Sequence, residues 1–162
     1  MIGTVLTAAV LLLSSACATN GAQSQEPEGT GARSSRATVT FSGTGCAYTG
    51  PADIPAGEVT MRAVNDTSIQ FDIDLWLLGD GHTYQELATH MAEEQARFEA
   101  EEPGLGHPTF ATMAAHTTAY PEGSDELTIP LLRPGTYGFA CIRLASGMPV
   151  EVMATGPFMV SQ

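Results

Sequence analysis

The residues of this 162-residue chain that could do chemistry are three cysteines, four histidines, seven methionines and a scatter of carboxylates. Cys141 comes first, because it closes the run Leu131-Leu132-Arg133-Pro134-Gly135-Thr136-Tyr137-Gly138-Phe139-Ala140-Cys141. Pro134 presets φ for a turn, and Gly135 can take the positive φ of a type II turn. Beyond the turn Tyr137, Phe139 and Cys141 alternate with other residues and so share one face of a strand. A cysteine there either meets a second cysteine across a sandwich or holds a metal. His82, His90, His107 and His116 show no pairing at helical i, i+4 spacing and imply no acidic partner, so they read as scattered surface imidazoles, His90 near the polar side of a helix. Met148, Met153 and Met159 could offer thioethers to a soft ion, although methionine more often fills gaps. Asp72 and Asp74 alternate on one strand face, but calcium wants six or more oxygens. Glu93-Glu94 and Glu101-Glu102 read as solvated helix pairs. No Gly-x-Ser-x-Gly elbow, phosphate loop or zinc-protease helix occurs, so a non-catalytic role is expected.

The elements that must position these residues occupy one domain. A net charge of −12 with every basic residue an arginine argues against nucleic acid or an anionic lipid surface as partner, and reads as solubility. Residues 1–16 read as a signal peptide: the apolar run Val5 to Leu13 is too short to stop in a bilayer and is followed by small residues. Leu13-Ser14-Ser15-Ala16-Cys17 resembles a bacterial lipobox, which implies lipidation of Cys17; simple secretion with cleavage after Ala18 is the rival. Both place the domain outside the cytoplasm, anchored to the envelope in the first case. Cys46 and Cys141 then form an even pair in an oxidising compartment, which favours a disulfide over free thiols. Residues 17–36, rich in Gly, Ser, Thr and Gln, read as a flexible tether, and 37–162 as the folded domain.

Within the domain, strands are expected over 37–41, 46–48, 58–64 and 69–77. In the last, Ile69, Phe71, Ile73, Leu75 and Leu77 face in, and Gln70, Asp72 and Asp74 face out. Trp76 falls on the polar face, beneath the insertion that follows. Thr83-Tyr84-Gln85-Glu86 is a capping box opening a helix over about 83–102, with Leu87, Ala88, Met91, Gln95 and Phe98 on one face. A weak strand over 111–120, another carrying Leu127, Ile129 and Leu131, the Cys141 strand, a Gly/Pro/Met loop over 146–157 and a closing strand at 158–160 complete the pattern. About seven short strands with one inserted helix imply an all-β, antiparallel Greek-key sandwich.

Leu132-x-Pro-Gly-Thr-Tyr-x-Phe-x-Cys141, with Asn65 ending a strand, Gly156-x-Phe158-x-Val160 closing the chain and the opening Cys46-Ala47-Tyr48-Thr49-Gly50-Pro51, resembles the cupredoxin fold. It is similar to bacterial secreted cupredoxin-like proteins of unassigned function, over about residues 38–161. The resemblance implies a plastocyanin- or azurin-type sandwich, and in its copper-binding members a histidine and a methionine soon after the strand cysteine. Here Ile142 to Gly147 contain no histidine, none occurs after His116, and Gln70 or Asp72 stands where the other histidine would. A blue-copper site needs a thiolate and two imidazoles. The expectation is therefore a domain without cofactor, its Cys46–Cys141 disulfide surrounded by Tyr48, Tyr137 and Phe139. The alternative is a degenerate copper-handling site of Cys141, Met148, His107 and His116. The expected role is a monomeric binding or accessory module, in contact with membrane through its lipid alone, whose protein or small-molecule partner meets the helical insertion.

Overall fold

The computed structural model describes residues 37–43 and 45–162; the expected signal peptide, the lipidation expected at Cys17 and the expected tether lie outside the described residues. The described chain runs β1 (Ala37–Ser42), β2 (Gly45–Thr49), β3 (Asp53–Pro55), β4 (Gly57–Asn65), β5 (Phe71–Leu78), α1 (Tyr84–Glu99), β6 (Ala111–Ala119), β7 (Gly123–Leu132), β8 (Gly135–Ala145) and β9 (Met148–Ser161). Two sheets form, in the orders β2-β1-β4-β7 and β3-β9-β8-β5-β6. Pairing is antiparallel except for β1 with β4 and β3 with β9. In the five-stranded sheet β8 returns beside β5 on the side away from β6, while β7, which follows β6 in the chain, crosses to the other sheet. The expected all-β sandwich with one inserted helix is thus the observed fold.

The main core lies between the sheets. Phe41, Met61, Ile73, Leu75, Tyr137, Phe139, Cys141 and Phe158 are all buried there, as the alternation of β5 and β8 requires. The Tyr137 hydroxyl donates to the Arg133 carbonyl at 2.9 Å and accepts from the Arg133 N–H at 3.1 Å, clasping the Pro-Gly connection between β7 and β8. Buried Asn65 holds the β4 to β5 crossing: its amide donates to the Ile69 and Ala119 carbonyls, and its oxygen accepts from the Thr67 N–H and hydroxyl.

A second core sits on the outer face of the five-stranded sheet. Trp76, Leu78, Ala140 and Val152 meet Leu87 and Met91 of α1. Trp76 lies on the polar face beneath the insertion, as expected, and only 2% of it is exposed, because the helix turns that face into an interior. Helix α1 begins at the capping box: Thr83 Oγ1 accepts from the Glu86 N–H, and the Glu86 carboxylate accepts from the Thr83 N–H at 2.6 Å. The Thr83 N–H, then the His82 ring, hold the Glu86 carboxyl below its ordinary value. The helix ends at Glu99, short of the expected 102.

Two further expectations are corrected. Nine strands occur among the described residues rather than about seven; one of them, Asp53–Pro55, was read as loop and pairs with β9. Residues 148–157, read as loop, belong to one long β9. Their prolines are tolerated because β9 has β3 as its second neighbour only at Met159–Ser161, so for most of its length it is an edge.

Gly138 lets α1 approach β8: a Cβ built there would stand 2.7 Å from Leu87 Cδ2 and 2.9 Å from Tyr84 Cδ2. Gly138→Ala is expected to cost about 1–3 kcal/mol by overpacking. Denaturant unfolding would register that loss, and Trp76 emission should shift to the red as the helix lifts. Unchanged stability and emission would contradict this packing.

Candidate functional site

Cys141 lies at the middle of the five-stranded sheet, fully buried, and Cys46 lies on the edge strand of the other sheet. They are bonded, with Cα atoms 6.4 Å apart, so the disulfide ties one sheet to the other. The Tyr48 ring stacks on Phe139 and Phe158 beside it, with centroids 5.8 and 5.4 Å apart. Tyr137 in turn stacks on Phe158.

Beyond Cys141, β8 continues to Ala145, and Ser146-Gly147 returns the chain directly into β9. Both turn residues have positive φ, 54° and 79°, the geometry of a two-residue hairpin turn. The segment that would carry ligands after the strand cysteine is therefore paired hairpin. Met148 is opposite Ala145, so it sits four residues up the ladder from Cys141, roughly 13 Å at about 3.3 Å per residue. It is exposed.

His107 and His116 belong to the other side of the sheet. His107, itself exposed, stands edge-on to Trp76, with centroids 5.2 Å apart. His116 Nδ1 lies 2.7 Å from Asp74 Oδ1. Asp74 is the neighbour of Ala140 across the ladder, one residue out of phase with Cys141, so the two side chains point to opposite faces. The set Cys141, Met148, His107 and His116 is thus split between a disulfide, a hairpin tip and the outer face, and does not fit a copper centre. Among the described residues no three His, Cys, Asp or Glu side chains converge where a metal could sit.

Two histidines do have acidic partners, against expectation: His116 with Asp74, and His82 with Glu86 at 3.1 Å. The first pairing is hidden in sequence by a bulge. Leu75 pairs with Ala115 but Trp76 with Met113, which leaves Ala114 over and places Met113 and His116 on one face at a spacing of three. Asp74 lies on the outer face, as expected, but is buried there, and Asp72 accepts from the Thr118 hydroxyl. His90 is engaged with the Gly106 carbonyl at 2.8 Å and packs edge-on to Phe110.

The outer face also holds a cavity of about 190 Å³ between α1, the sheet and the 106–108 segment. Its walls are mostly apolar (Met91, Phe98, Ile142, Val152), with Asp74, Glu94 and His107 supplying polarity and Trp76 flooring it. Glu94 accepts from the Leu105 N–H and so pins the loop that closes this region. A larger hollow, about 340 Å³, lies at one end of the sandwich beside the Arg143–Glu151 ion pair, whose atoms are 2.7 Å apart. Neither hollow was legible in sequence, since each is assembled from segments far apart in the chain.

The sequence matches no protein-family model and no curated protein. Solved structures similar to it include auracyanin A, a blue copper protein from Chloroflexus aurantiacus, at 17% identity over 76% of this chain and 96% of that one, with a TM-score of 0.43. A second is the auracyanin of Roseiflexus castenholzii, at 17% identity over 77% and 95%, TM-score 0.36. A third is an azurin from Methylomonas sp. strain J, at 13% identity over 80% and 99%, TM-score 0.40.

Burial raises the phenols of Tyr48, Tyr84 and Tyr137 above the ordinary value of 10. Above that pH the unfolded chain releases protons that the folded chain retains, so stability falls as pH rises. A spectrophotometric titration should show their phenolates emerging together with unfolding; ionisation of all three in an intact fold would contradict their burial. Replacing Cys46 and Cys141 together by alanine removes a crosslink of sequence separation 95, and should cost about 4–5 kcal/mol in denaturant unfolding.

Proposed function

We propose that this chain is an extracytoplasmic binding module of cupredoxin-like architecture, non-catalytic and without copper, tethered by lipid at Cys17 to an envelope membrane. The observation that carries the reading is the Cys46–Cys141 bond. A bonded sulfur is not a thiolate, so the strand cysteine supplies neither a soft ligand nor a nucleophile. The same bond supports an oxidising address. The candidate acid–base groups are engaged structurally: Asp74 with His116, Glu86 with the helix cap, Glu94 with the Leu105 N–H. The partner-facing surface in this reading is α1 with the loop that follows it, the part of the fold added to the two sheets. The module acts as a monomer.

Thiol mapping of the exported protein tests this. Alkylation before and after reduction, followed by peptide mass analysis, should leave Cys46 and Cys141 unmodified until reductant is added. Labelling of both without reductant, together with copper(II) binding that gives a coloured protein, would replace the reading by copper handling.

A further inference from the structure

Asp74 is a carboxylate only 5% exposed, and it lines the 190 Å³ cavity under α1 from the sheet side. Its Oδ1 lies 2.7 Å from a ring nitrogen of His116. Glu94 lines the same cavity from the helix side, and its carboxylate accepts from the Leu105 N–H. Neither contact brings a fixed positive charge. The chain has no lysine, none of its arginines lines the cavity, and Arg97, the arginine of α1, donates to the Pro103 carbonyl at 3.1 Å. Carboxylates withdrawn from water call for a counter-charge. From this arrangement we infer that the cavity is a binding site for a small organic cation, a primary ammonium on a short branched alkyl body. This deepens the binding-module reading and rests on it.

The ligand class follows from the walls. Two carboxylates, in a chain of net charge −12, repel an anionic head group. A hydroxyl or an amide donates a hydrogen bond but leaves both charges uncompensated. An ammonium supplies the positive charge and three donors, and its hydrogen bonds to a carboxylate are charge-assisted. A bare divalent ion is a poorer occupant, because among the described residues no three His, Cys, Asp or Glu side chains converge on one point. The rest of the lining is mostly carbon, from Met91, Phe98, Ile142 and Val152, which suits an alkyl body. At about 30 Å³ for each water-sized group, the cavity admits roughly six non-hydrogen atoms.

Trp76 also lines the cavity and is the chain's single tryptophan, so its emission reports occupancy. The full chain would be titrated at about pH 8, above the ordinary imidazole range, with four probes sharing one body: isopentylamine, 3-methylbutanol, isovaleramide and isovalerate. A saturable change is expected for the amine, with binding at least about tenfold weaker for the alcohol and the amide and no response to the carboxylate. Asp74→Asn keeps an acceptor for His116, and Glu94→Gln keeps one for the Leu105 N–H, so each removes a charge with little change of shape. One or both should weaken the amine at least about tenfold and leave the alcohol unchanged. Val152→Phe should fill the cavity and abolish the response while thermal unfolding stays cooperative. No saturable response to the amine, an alcohol bound as tightly as the amine, or unchanged amine affinity in both charge variants overturns the inference. Any of these leaves the binding-module reading standing when thiol mapping finds Cys46 and Cys141 bonded, whereas free thiols overturn that reading whatever the probes do.

Discussion

The rest of the molecule depends on one constraint: the five-stranded sheet is apolar on both faces and must be covered twice. Ile73, Leu75, Phe139 and Cys141 look one way, while Trp76, Leu78 and Ala140 look the other. The four-stranded sheet covers the first face, as in any two-layer sandwich. The second would expose a tryptophan, a leucine and a valine to water without α1. Burying Leu87 and Met91 contributes about 1.5–3 kcal/mol each to holding that cover in place. The helix is therefore structural as well as surface, and the loop behind it is pinned by Glu94 and His90.

This two-sided burial explains what could be read from the chain. Period two carried β1, β4 and β5 to within a residue or two of their observed bounds, and the capping box placed the start of α1. Asp72 and Asp74 made one face of β5 look solvated; Trp76 was legible as lying beneath the insertion, and the packing of α1 makes that face an interior. The bulge at Ala114 broke the alternation of β6, which concealed the Asp74–His116 pair. Pro149 and Pro157 disguised β9 as loop, because local grammar does not say which strands are edges. The disulfide was legible from the cysteine count and the address that the N-terminal segment led one to expect. The cavity was not, being assembled from β5, β8, β9, α1 and a loop.

The sheet also acts as a partition. The only sulfur chemistry of the strand cysteine is confined between the sheets, with Tyr48 and Phe158 around it. Both histidines of the 107–116 region and the buried carboxylate lie on the far side. Alternation along β5 and β8 keeps these sets apart, and no side-chain rotation within the fold unites them. A binding role through the outer face and a crosslinking role through the inner one can thus coexist without interference.

The two-residue turn at Ser146-Gly147 constrains what the neighbouring cysteine can become. Acquiring a soft-metal centre at Cys141 would require an insertion long enough to open this hairpin and bring new donors back toward the sulfur. It would also require loss of Cys46, which alone removes the crosslink and confers nothing. Lengthening the turn alone leaves the sulfur still bonded. Neither step alone sets a thiolate among new donors, so the hairpin and the crosslink together hold the strand cysteine to its crosslinking role.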